Sequence, residues 1–149
     1  MRMENLELRI IKKVIFFTFC FSLFTVMSGC ATKTTPIYAV IKTPKFKAAD
    51  EGFLEKGFGY KKLTIYKAGN VPVVITLKNS FVCLNGRCMD KEKFIKEYLP
   101  KGYPSDFFDK ILDYKCPKGF FCKTDGQKIL FKDKKNNILI MIKNIDRLN

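Results

Sequence analysis

Six residues, Cys83-Leu84-Asn85-Gly86-Arg87-Cys88, narrow what this chain can fold into more than any other stretch. Asn-Gly between apolar residues is the strongest short-range hairpin signal, because a type I′ turn needs positive φ at both central positions. A two-residue turn makes Leu84 and Arg87 the closing pair. Cys83 and Cys88 then stand opposite each other one step further out, at a non-hydrogen-bonded position where Cα atoms approach within disulfide range. Antiparallel sheet is thus the expected framework, with a cross-strand disulfide beside a tight turn.

The other end of the chain says where such a disulfide could form. Arg2, Arg9, Lys12 and Lys13 make a basic start, and Val14 to Met27 is an uncharged, mostly apolar run of 14 residues. Ser28 and Gly29 are small, and Cys30 follows. This is the three-part layout of a secretory signal over residues 1–29. The other reading, a transmembrane helix, would need about 20 apolar residues. Met27-Ser28-Gly29-Cys30 resembles the bacterial lipobox, with Met where Leu is usual. That resemblance implies cleavage before Cys30, a covalent diacylglycerol on its sulfur and an acyl chain on its new amine, with no other cofactor. Several acyl chains hold far more firmly than one, so the membrane becomes the first expected partner. Ala31, rather than Asp, implies outer-membrane sorting, with the periplasmic or surface face left open. Residues 30–36 are expected to be a lipidated tether, and residues 37–149 one folded domain.

Export turns the remaining cysteines into a framework. With Cys20 removed and Cys30 lipidated, four remain: Cys83, Cys88, Cys116 and Cys122. An even set in an exported chain points to disulfides. Local pairing puts Cys83 with Cys88, and Cys116 with Cys122 around Pro117-Lys118-Gly119. A four-cysteine zinc site is the alternative. Its usual CxxC spacing is absent, and zinc competes poorly with oxidation outside the cytoplasm.

Hydrophobic periodicity fills in the rest. Strands are expected at 37–43, at 46–56 with a break at Gly52, at 60–68, at 73–79, in the Asn-Gly hairpin, and at 127–132 and 138–143. Gly69-Asn70 reads as a turn. Ile138, Ile140 and Ile142 alternate with Leu139 and Met141, so the last strand is apolar on both faces and expected to be central. Asp90 can cap a helix over Lys91–Leu99, closed by Pro100 and Gly102. A second short helix, opened by Tyr103 or Ser105 around Pro104, carries Phe107, Phe108, Ile111 and Leu112 on one side. The fold class is α+β: a curved, open half-barrel-like antiparallel sheet with two short helices inserted before its last hairpin. Those helices must cover one face of the sheet. Ile65, Val73, Ile75 and Leu77 of the sheet then face Phe107, Phe108, Ile111 and Leu112 of the helix. Such a layer is either plain core or a groove for acyl chains.

The order from Ile75 to Leu112 runs strand, Asn-Gly turn, helix with Phe94 and Leu99, then Tyr103-Pro104 and Phe107 to Leu112. With the alternating segment Ile138–Asp146, it is similar to the outer-membrane lipoprotein receptor of the Lol sorting pathway. That resemblance implies an unclosed barrel lidded by helices, whose cavity binds the acyl chains of other lipoproteins. Members usually carry several Trp residues, and this chain has none. They also expose an apolar residue on a protruding loop. The analogue here is Phe58, set between Gly57 and Gly59, which could insert into a membrane or partner or else fold back on the sheet.

Charge supplies a second class of function. Four of the 28 basic and two of the 14 acidic residues lie in 1–29, which leaves 24 and 12, a net charge of +12. The lysines are spread along the chain, as on a solvated surface. The excess also suits anionic envelope lipids and glycans, such as lipopolysaccharide and peptidoglycan, or an envelope assembly machine. Nucleic acid is disfavoured because the basic residues do not gather on a reading element. An inhibitor of lysozyme fits less well, since lysozyme is itself usually basic. Enzyme chemistry finds little footing. There is no histidine to activate a nucleophile, no Gly-rich phosphate loop, and no carboxylate pair placed for glycoside hydrolysis.

Overall fold

A computed structural model of the chain describes residues 32–66 and 71–146. The signal segment, Cys30 and the Gly69-Asn70 turn lie outside these residues.

The described chain is mostly one antiparallel sheet. Its strands are β1 Lys33–Lys42, β2 Lys47–Gly57, β3 Tyr60–Ile65, β4 Val73–Lys78, β5 Phe81–Leu84, β6 Arg87–Asp90, β7 Cys122–Thr124, β8 Lys128–Asp133 and β9 Ile138–Asn144. Two short helices, α1 Lys91–Tyr98 and α2 Phe107–Leu112, fall between β6 and β7. The spatial order is β6-β5-β4-β3-β2-β1-β9-β8-β7, so β6 and β7 are free edges and the sheet does not close. The first six strands meander through short turns. The helical insert then carries the chain across, and β9 pairs with β1 from Ile37↔Asn144 to Lys42↔Leu139. β9 is thereby internal, with β8 on its other side.

Three features differ from expectation. β1 begins at Lys33, so Lys33–Pro36 belong to the sheet and not to the tether, with Pro36 opposite Phe53. A proline has no N–H for a ladder. Here the Pro36 carbonyl accepts from the Ile145 N–H at 3.1 Å, which puts the missing donor on the β9 side, beyond the last paired residues. β2 runs unbroken through Gly52, which serves a close approach. A Cβ at that position would lie 1.9 Å from the Thr64 carbonyl oxygen. The short edge strand β7 had no sequence signal strong enough to mark it.

The Asn-Gly turn has the φ values it requires, 49° at Asn85 and 84° at Gly86. Asn85 does more than turn the chain, since its Oδ1 accepts from the Val74 N–H at 2.8 Å. Asp90 occupies the position before α1, but its side chain makes no capping bond. α1 ends where Leu99 turns extended ahead of Pro100, and Gly102 follows with φ 99°. α2 begins later than the sequence suggested, at Phe107, after a turn in which the Phe107 N–H bonds the Pro104 carbonyl.

Alternation decides which face is covered. Ile37, Ala39 and Ile41 of β1, Leu54 of β2, Leu63 and Ile65 of β3, and Ile138, Ile140 and Ile142 of β9 are all buried. Phe94, Ile95, Leu99, Phe107, Phe108, Ile111 and Leu112 of the helical insert complete the same core. Phe107 is its hub, with ring centroids of Tyr103, Phe108 and Phe131 at 5.0, 5.3 and 5.0 Å, all edge-on. Full burial of such a ring is worth about 3 kcal/mol, and each edge-to-face pair adds about 1 kcal/mol. The Tyr103 hydroxyl donates to Asp133, which ties the insert to the β8–β9 turn. Burial first, and then that bond, push the Tyr103 hydroxyl well above its ordinary pKa. The same bond, with those from Asn136, holds the Asp133 carboxyl low.

Candidate functional site

The four cysteines form the two expected disulfides. Cys83 and Cys88 face each other across β5 and β6, with Leu84 and Arg87 inside them. Cys116 and Cys122 close a loop in which the Phe120 N–H bonds the Pro117 carbonyl and Gly119 takes φ 80°. No three potential ligand side chains among the described residues gather as a metal site.

The residues expected to line an acyl groove lie together between sheet and helices. Ile65, Ile75, Leu77, Phe107, Phe108, Ile111 and Leu112 are buried, and Val73 packs half-buried against them. In this structure they are in contact as core. Of the eight, Leu77 also forms part of the wall of a hollow at the β2–β3 end of the sheet.

Phe58 does not fold back. It is 94% exposed at a two-residue turn between the paired Gly57 and Tyr60, and Gly59 takes φ 73° to make that turn. Behind this tip is a cleft of about 330 Å³ whose wall includes Lys56, Lys61, Lys78, Lys91, Tyr60 and Asp109. Strand register explains the gathering. Lys56 is the last residue but one of β2, Lys61 is the second of β3 and pairs with it, and Lys78 ends β4, all at one end of the sheet. Lys91 opens α1 where β6 leaves the sheet at that same end.

Two carboxylates from α2 and its C-terminal edge organise the lysines. Asp113 takes Lys61 Nζ at 2.7 Å and Lys56 Nζ at 3.2 Å. Asp109 takes Lys91 Nζ at 2.8 Å, and its backbone carbonyl accepts from Lys61 Nζ at 3.3 Å. Burial alone would raise the Asp113 pKa, but the hydrogen bonds and charges of Lys61 and Lys56 outweigh it and hold the carboxyl below its usual range. Lys56 also lies 5.6 Å from the centre of the Tyr114 ring. Lys78 is exposed and has no ion-pair partner among the described residues. Four ammonium groups thus meet two carboxylates, which leaves two positive charges in excess.

An adjoining hollow shares Asn79 and Lys91, with Lys93 and Lys96 against Asp90 and Glu92. Sequence alone could mark the lysines flanking the Gly57-Phe58-Gly59 turn. It could not join them to Lys91 or to the α2 carboxylates, since that depends on how the insert docks.

No helix of the described residues is long and apolar enough to cross a membrane. Comparison with protein-family models, with curated proteins and with solved structures finds no match to this chain.

Proposed function

We propose that this chain is a lipid-anchored lipoprotein of the outer membrane whose domain is a non-enzymatic binding module with an anionic envelope partner. Lipopolysaccharide, peptidoglycan and acidic faces of an assembly machine share the chemistry that a surface of this charge attracts. The observation that carries the proposal is the lysine cleft, where two carboxylates hold three of the ammonium groups and Lys78 has no ion-pair partner among the described residues. The anchor rests on Met27-Ser28-Gly29-Cys30 after the apolar run. Mass spectrometry of the native protein tests it directly, with a diacylglyceryl, N-acylated Cys30 as the expected amino terminus. Binding to lipopolysaccharide or peptidoglycan should weaken steeply as salt shortens the Debye length from about 30 Å at 0.01 M to about 8 Å at 0.15 M. Affinity unchanged over that range would defeat the electrostatic reading.

A second reading has its own support. An unclosed sheet lidded by two helices, with an apolar residue standing out on a turn, is the arrangement that the Lol-receptor resemblance implies. On that reading the sheet curves into a half-barrel. α1 and α2 then lift to admit acyl chains between Ile65, Val73, Ile75 and Leu77 and the α2 side chains. A fluorescent fatty-acid analogue displaced by lipoprotein acyl groups would support it, and the absence of any such binding would end it.

A further inference from the structure

The position at which the chain emerges from the sheet carries a consequence for the lysine cleft. β1 starts at Lys33, opposite Lys56, two residues from the Gly57-Phe58-Gly59 tip. Thr32 Oγ1 lies 3.5 Å from the Tyr60 hydroxyl, and Tyr60 is part of the cleft wall. Cys30 is two residues earlier. In sequence, only Ala31 separates Cys30 from Thr32, so a lipid on Cys30 would tether the domain through a very short lead.

An anchor on so short a lead selects one end of the domain. At this end stand Phe58, 94% exposed, and Phe81, about half exposed at the start of β5. The lysines of the cleft lie between and behind them. Exposed aromatics beside an excess of lysine is the composition of a surface that seats at a bilayer interface, where rings enter the boundary and ammonium groups meet phosphate. At the opposite end the β1–β2 turn tucks its aromatic, Phe46, against the core, while Phe121 is exposed, so it is the short lead from the anchor, and not exposure alone, that selects the β2–β3 end.

Resting on the lipid-anchor reading, we infer that the β2–β3 end faces the bilayer, and that the Lys56–Lys61–Lys78–Lys91 cleft receives phosphate-bearing headgroups of the membrane holding the anchor. Lys78, exposed and without an ion-pair partner among the described residues, is the group that meets the headgroup first. Lys61 and Lys91 are already positioned by Asp113 and Asp109.

The chain has no Trp, so one introduced Trp reports one place. The mature full-length protein carrying Phe58→Trp is reconstituted into phosphatidylcholine vesicles with and without phosphatidylglycerol. Phe121→Trp serves as the control, because Phe121 is 80% exposed and precedes Cys122, whose pairing with Phe131 puts it toward the far end. Emission from Phe58→Trp should shift to the blue and be quenched by brominated lipid when phosphatidylglycerol is present, while Phe121→Trp stays water-like. Lys78→Glu in the Phe58→Trp background should raise the phosphatidylglycerol content needed for half the shift about tenfold. Lys78→Gln should have a smaller effect in the same direction. Inorganic phosphate at millimolar concentration should leave the shift in place; full reversal by it would reassign the cleft to soluble phosphate.

Equal emission from both reporters, a shift at Phe121 instead, or indifference to Lys78→Glu would overturn the inference. Mass analysis of the same sample reads Cys30 separately. An unlipidated Cys30 defeats the anchor reading, while added vesicles still decide whether the cleft and Phe58 engage anionic lipid.

Discussion

β2 carries an aromatic residue at the turn on each of its ends, and the two are handled in opposite ways. At the β1–β2 turn, Thr43 is buried, and its N–H and hydroxyl both reach the Phe46 carbonyl, at 2.7 and 3.2 Å. The Phe46 N–H returns a bond to Thr43 Oγ1 at 3.0 Å. The ring is drawn in against the core. At the β2–β3 turn, Phe58 sits between two glycines and almost all of its surface meets water. One turn satisfies its own polar groups and contributes packing. The other leaves a large apolar side chain in solvent where folding gains nothing from it. That difference separates a residue explained by stability from one whose explanation lies outside the domain.

The contrast depends first on the strand joining the two turns. Gly52→Ala puts a methyl group against the Thr64 backbone and should destabilise the protein by about 3 kcal/mol. A thermal melt matching the parent would mean that the β2–β3 register is different. Phe46→Ala should cost about 2 kcal/mol, less than a fully buried ring because Phe46 is half-covered. Chemical denaturation checks this, and a neutral result would erase the distinction between the turns.

Near the exposed tip, Asp113→Asn should cost about 1 kcal/mol or less, since its pairs with Lys56 and Lys61 are about one-third solvent-exposed. The sign with pH follows from the lowered carboxyl. Its folded pKa is below the unfolded value, so its contribution is present above pH ~4 and is lost as the pH falls through the folded value. The parent should therefore lose stability on acidification more steeply than Asp113→Asn, and parallel acid limbs would refute the pairing. Smallest of all, Phe58→Ser should leave stability within about 0.5 kcal/mol of the parent. A clear drop in melting temperature would show Phe58 to be structural after all.

Local chemistry was the readable part of this fold. Asn85-Gly86 specifies its turn, the turn sets Cys83 opposite Cys88, and the spacing of Phe107, Phe108, Ile111 and Leu112 defines a helix face. The start of β1 was less visible, because Pro36 reads as a strand breaker until β9 is seen to end beside it. β7 was too short for alternation to mark. The lysine cleft was out of reach for a different reason. Lys61 and Asp113 are separated by 52 positions, and only the docking of α2 on the sheet brings them together. The acyl groove and the core share one sequence signature, an apolar layer between sheet and helix, and periodicity does not separate the two.

Both outermost strands carry a half-cystine: Cys88 in β6 and Cys122 in β7. An open sheet invites neighbours to add strands at its margins, and short margins fastened by covalent links resist such growth. A reductant would free both borders at once while leaving the aromatic interior in place. The protein kept under reducing conditions should thus tend toward strand-by-strand association, and oxidation of the two cysteine pairs would seal its rims.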